Sequence, residues 1–111
     1  MEISEQRQGD ITILSPTGRI NNDTSPAFQT KLLGCVGSSA AKVLIDFSSV
    51  EYISSAGLRA LMMASKQSKA TNGRLAVAAL TRMVKEIFAI SRFSLVVQVF
   101  ETTSAAIAAL R

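Results

Sequence analysis

The alternation of apolar and polar positions makes the start of the chain a hairpin. Ile3 on one side of Gln8-Gly9-Asp10, and Ile11, Ile13 and Leu14 on the other, predict two strands joined by a tight turn. Polar turn-formers over residues 17–24 break the pattern before Ser25-Pro26, where serine is expected to cap a helix and proline to take its first position. Phe28, Leu32, Cys35 and Val36 then recur at i, i+4, i+7 and i+8, the stripe of a helix packed on a core, which ends at Gly37-Ser38-Ser39. On that stripe Cys35 is expected to be a buried small hydrophobe. Val43-Leu44-Ile45-Asp46-Phe47 is nearly continuously apolar, as a strand covered on both faces must be, and belongs at the centre of the sheet.

Residues 48–53 are expected to lead directly into a second helix. Leu58, Leu61, Met62 and Ser65 share its inner side, Arg59, Lys66 and Gln67 face water, and Asn72-Gly73 ends it with glycine in left-handed geometry. Residues 75–79 form a further strand, and Thr81 caps a helix whose Val84, Ile87, Phe88 and Ser91 point inward. Residues 95–100 make the last strand, followed by a short helix over Ile107 and Leu110. The order is ββαβαβαβα, an α/β fold. Its mixed, mostly parallel sheet carries an N-terminal β-hairpin, and helices pack on it. No linker or repeat divides it, so residues 1–111 are expected to be one domain.

Composition narrows the function. No apolar run approaches the ~20 residues a membrane helix needs, and the acidic start, Met1-Glu2-Ile3-Ser4-Glu5, is unlike a secretory leader. A lone Cys35 agrees with a reducing compartment, and a cytoplasmic location is expected. The formal net charge of +4 comes from twelve basic residues dispersed along the chain, without the clustered cations or stacking aromatics that nucleic-acid binding requires. The excess is nonetheless local: between Arg59 and Arg92 seven Lys or Arg face the single acid Glu86. That is a solvated basic face or a docking surface for an acidic partner.

With no histidine the chain lacks the ordinary general base of serine or cysteine nucleophiles and the commonest nitrogen ligand of zinc. One cysteine makes no metal cluster, the eight acids show no paired spacing, and neither familiar glycine-rich nucleotide loop is present. The expectation is a binding module with no cofactor, and not an enzyme.

The segment from Asp46 to Leu61 remains. A strand ends, a short loop turns, and Ser54-Ser55-Ala56-Gly57 opens a helix. One serine suffices to cap a helix start, at ~1 kcal/mol. A second serine followed by small residues suggests bare backbone and an exposed hydroxyl at the positive end of the helix, suited to close approach by a protein or a phosphoryl group.

This run resembles the signature of STAS domains, in particular the bacterial anti-sigma-factor antagonists. Gly18-Arg19-Ile20-Asn21 is similar to that family's loop before the first helix, and Met83-Val84-Lys85-Glu86-Ile87-Phe88 to its third helix, so the likeness spans nearly the whole chain. The resemblance implies a partner switch. A GHKL-type anti-sigma factor with serine kinase activity phosphorylates Ser55, or less readily Ser54. A serine phosphatase reverses this, and only the unmodified form binds the anti-sigma factor and frees sigma. It also implies a contact surface of Asn21, Asp23, Ser54, Ser55, Ala56, Gly57 and Arg59. Ser54 stands where the family usually has aspartate, Asn21 where many members have an acid, and Ser91-Arg92-Phe93 where glycine is frequent. The alternative within the family is a structural STAS subunit of a transporter or stress-signalling assembly, with the serines as a cap alone.

Overall fold

The computed structural model describes residues 1–111. Strand β1 (Glu2–Gln8) turns at Gly9 and pairs antiparallel with β2 (Ile11–Ile20). Gly9 holds φ +64°, the left-handed geometry this tight turn demands. Helix α1 (Ser25–Val36) leads to β3 (Lys42–Asp46), a short β4 (Val50–Ile53) and α2 (Ser55–Ala70). Strand β5 (Arg74–Ala78), α3 (Arg82–Ser91), a 3-10 turn (Phe93–Leu95), β6 (Gln98–Phe100) and α4 (Thr103–Leu110) complete the chain. The six-stranded sheet runs β1-β2-β3-β5-β6, with β4 added beside β2, and every pairing except the first is parallel.

The expected α/β architecture stands, with one more strand than the sequence pattern suggested. Val50 and Ile53 are buried while Glu51 faces solvent, so residues 50–53 extend the sheet where a plain connection was expected. β2 serves two neighbours in turn. Residues 11–14 pair with β3 and residues 18–20 with β4, and the ladder shifts register between Gly18 and Arg19. Gly18 takes φ +102° with open space where a side chain would sit, so it is glycine for its backbone conformation, as a bulge that bends a strand requires.

Two layers of core follow from β3. Val43 and Ile45 pack with Phe28, Leu32, Leu61, Val84 and Phe88 beneath the first three helices. Leu44 points to the other side, joining Ile11, Ile13 and Ala76 under Ala106 and Leu110 of α4. A strand buried on both faces has no polar alternation to show, which is why its sequence is continuously apolar.

Several local expectations are corrected. Thr24 occupies the cap position of α1 and Ser25 is the first helical residue, because Asn21 organises the preceding turn. Cys35 is only half-buried, at the edge of the helix stripe, and desolvation there pushes its thiol pKa up. In α2 the inward residues are Gly57, Ala60, Leu61, Ala64, Ser65 and Ser68, while Met62 is exposed. The buried face is narrow because α2 lies close to the sheet and to α1, which favours small residues.

At the end of α2 it is Asn72 that takes positive φ, at 59°. Gly73 is needed for a different reason, since a Cβ there would come 2.5 Å from the Ala41 carbonyl oxygen. Thr81 sits at the cap of α3, but its hydroxyl donates to the Val50 carbonyl at 2.7 Å, tying α3 to β4. Ser91 is exposed and donates back to Ile87 at 2.7 Å. The last strand is only residues 98–100, because Phe93 and Val97 dive into the core and wind the chain into the 3-10 turn between them.

Candidate functional site

The start of α2 lies at the carboxyl ends of β2 and β4, where open parallel sheets present their loops for binding. Ile20 pairs with Ile53, and the Ser54 amide donates to the Ile20 carbonyl at 2.8 Å, so the loop after β2 and the first turn of α2 are held side by side. This contact brings Asn21 and Asp23 to the same end of the molecule as Ser54, Ser55, Ala56 and Arg59.

The two serines have different roles. Ser54, only 9% exposed, is the N-cap: its Oγ accepts from the Gly57 amide at 3.2 Å, and its carbonyl accepts from the Leu58 amide at 2.9 Å. Ser55 is the first residue of the helix and faces solvent. A hydroxyl that has no capping task, at the positive pole of a sixteen-residue helix, is free to be modified or touched. Ser54→Ala removes the cap and is expected to cost about 1 kcal/mol, a fall of about 4 °C in melting temperature for a domain of this size, read by thermal circular dichroism.

Asn21 is a structural pivot. Its Oδ1 accepts from the amides of Asp23 (2.9 Å) and Thr24 (3.1 Å), and its own amide donates to Thr24 Oγ1 at 2.8 Å. The Thr24 hydroxyl donates to the Arg19 carbonyl at 2.7 Å, closing the loop. A carboxylate oxygen accepts the same two amide bonds, so asparagine preserves the turn that an acid builds here while removing its charge. Asp23 remains the exposed acid of the loop.

Gly57 departs from the expected contact surface. It is buried, and a Cβ on it would lie 2.6 Å from Ile53 Cγ1 and 2.7 Å from Ile20 Cγ2. Glycine is required here so that α2 can press onto β2 and β4, not to bare the backbone to a partner. Ala56 is half-buried and Arg59 exposed.

Two features escaped the sequence reading. Arg19 stacks over the Tyr52 ring at 4.6 Å, joining the upper halves of β2 and β4 on their outer side. Beside Ser55 lies a shallow groove of about 310 Å³, lined by Leu58, Arg59 and Met62 of α2 and by Ser91 and Phe93. Its residues come from segments some thirty positions apart, so no local pattern announces it.

A sheet of this order, with a capping serine and an exposed serine opening the helix after β4, defines a STAS-type module. The STAS domain profile matches residues 2–106, and the chain belongs to that family. A candidate anti-sigma factor antagonist of Bordetella bronchiseptica, BtrV, is 29% identical over 111 residues, spanning 100% of this chain and 96% of that protein. The crystal structure of a candidate anti-sigma factor antagonist from Thermotoga maritima superposes with a TM-score of 0.91 at 20% identity, covering 98% of this chain and 94% of the other. The Bacillus cell fate determinant SpoIIAA in its phosphorylated form gives a TM-score of 0.71 at 12% identity, covering 99% and 100%. At these identities the two structures speak to the fold.

Proposed function

We propose that this chain is an anti-sigma factor antagonist switched by phosphorylation of Ser55. The observation that carries the reading is the division of labour at the start of α2: Ser54 is buried and caps the helix, which leaves the exposed Ser55 hydroxyl without a structural task. The relative BtrV is named in the same functional class, and SpoIIAA, which shares the fold, has been solved in a phosphorylated form.

In this reading the unmodified surface formed by Asn21, Asp23, Ser55, Ala56 and Arg59, with the buried Ser54 holding the helix start beneath it in place of the contact role expected of it, binds an anti-sigma factor that is also a GHKL-type serine kinase, and sigma is released. Phosphorylation adds about −1.5 to −2 charge and three acceptor oxygens at the centre of the contact. The helix start tolerates that charge, but an interface that must desolvate it does not. The fold therefore stays intact while binding is lost, and a serine phosphatase restores it. The chain itself performs no chemistry in this scheme and works in the cytoplasm. No helix is long and apolar enough to cross a membrane.

Intact-mass measurement of the protein isolated from its native cell, before and after phosphatase treatment, tests the assignment. An adduct of about 80 Da that fragments to Ser55 is expected, absent from Ser55→Ala and retained in Ser54→Ala. An adduct mapped to another residue contradicts it.

A further inference from the structure

The groove beside Ser55 has a composition that the switch alone does not explain. Leu58 and Met62 form one wall and Phe93 the other, and Met62 is 38% exposed. Ile90, next in sequence to the groove residue Ser91, is 85% exposed. Between the two groove residues Ser91 and Phe93, Arg92 holds φ 55°, ψ 35°. That is left-handed geometry, which costs an arginine energy and a glycine almost none. Arg59 and Arg92 both lack a carboxylate partner within the chain. They belong to a stretch of sequence with seven cations and one acid, Glu86, in which Arg82 sits 3.8 Å from Glu86 and Lys85 3.5 Å from Glu101, so neither of those acids is left for Arg59 or Arg92.

We propose that this groove receives an apolar side chain from an acidic segment of the anti-sigma partner, with Arg59 and Arg92 meeting carboxylates on either side of it. The inference rests on the Ser55 reading and extends it. Charge selects the occupant: a second copy of this chain would bring its own net charge of +4 to a basic rim, whereas an acidic segment complements it. The groove also explains how the switch reaches beyond one atom. Ser55 and Arg59 lie four residues apart on the same face of α2, so a phosphate on Ser55 draws the Arg59 guanidinium to itself and removes it from the partner.

The test compares the affinity of the purified cognate anti-sigma factor for wild type, Met62→Glu, Arg92→Gly and Ser55→Glu, at two salt concentrations, with melting curves to verify folding. Met62→Glu is expected to weaken binding at least about tenfold, because an acid replaces apolar surface facing an acidic segment. Arg92→Gly is expected to weaken binding several-fold and to flatten the salt dependence, without lowering the melting temperature. If both bind as wild type while Ser55→Glu does not, the groove proposal is wrong and the serine reading stands. If Ser55→Glu also binds as wild type, both fall. A dimer of the chain alone that Met62→Glu dissolves, seen by light scattering, overturns the proposal in favour of a second copy.

Discussion

Replacing Gly57 with alanine is expected to lower the stability of the domain by about 1–2 kcal/mol, although alanine is the better helix former. The two effects oppose each other. Alanine in a helix gains up to ~1 kcal/mol over glycine. Against this, the added methyl would stand 2.6 Å from Ile53 Cγ1, 2.7 Å from Ile20 Cγ2 and 3.2 Å from Ile53 Cδ1. Ile20 and Ile53 are 0% and 1% exposed, walled in by the same core, so neither can swing aside without displacing its own neighbours. The overpacking term of ~1–3 kcal/mol wins. Relief requires α2 to lift from β2 and β4, and that movement tilts the helix start that carries Ser55. Gly57→Ala is therefore expected to melt earlier in chemical denaturation and to bind the anti-sigma partner more weakly. A variant that is more stable than wild type would mean the close approach of helix and strands is not as described.

Ser55→Glu is expected to weaken the anti-sigma partner by about a hundredfold or more, while Ser55→Ala stays within a few-fold of wild type. The side chain at this position is exposed and makes no hydrogen bond that holds the fold, so both variants should melt close to wild type. A carboxylate at the first position of a helix is favoured by the dipole. Any loss therefore belongs to the interface, where the new charge must be desolvated or must face carboxylates of the partner. Titration calorimetry of the three proteins separates these terms, since a common melting temperature with divergent affinities isolates the contact.

Much of this was readable from the residues. The continuous apolar run of β3, the helix stripes of Phe28, Leu32 and Val36 or Val84 and Phe88, and the serine pair at the start of α2 each follow from burial or capping that acts locally. What escaped was set by neighbours distant in sequence. β4 is four residues long, too short for alternation to register, and it exists because Gly18 bends β2 toward it. Gly57 and Gly73 look like permissive backbone in the sequence, yet each is dictated by atoms outside its own turn of chain, Ile20 and Ile53 for the first and Ala41, just before β3, for the second. The Thr81 hydroxyl, expected to cap its own helix, is taken by Val50, thirty-one residues away. The groove beside Ser55 was invisible for the same reason, since Phe93 reaches it only after Arg92 turns the chain through left-handed geometry.

The central claim is that one exposed hydroxyl at the start of α2 decides whether a partner protein can sit down. Its most direct test is a titration of the purified anti-sigma factor with two preparations of the same chain, unmodified and stoichiometrically phosphorylated on Ser55. The account predicts tight binding for the first and at least about a hundredfold weaker binding for the second, with matching melting curves. Equal affinity for the two forms would contradict it.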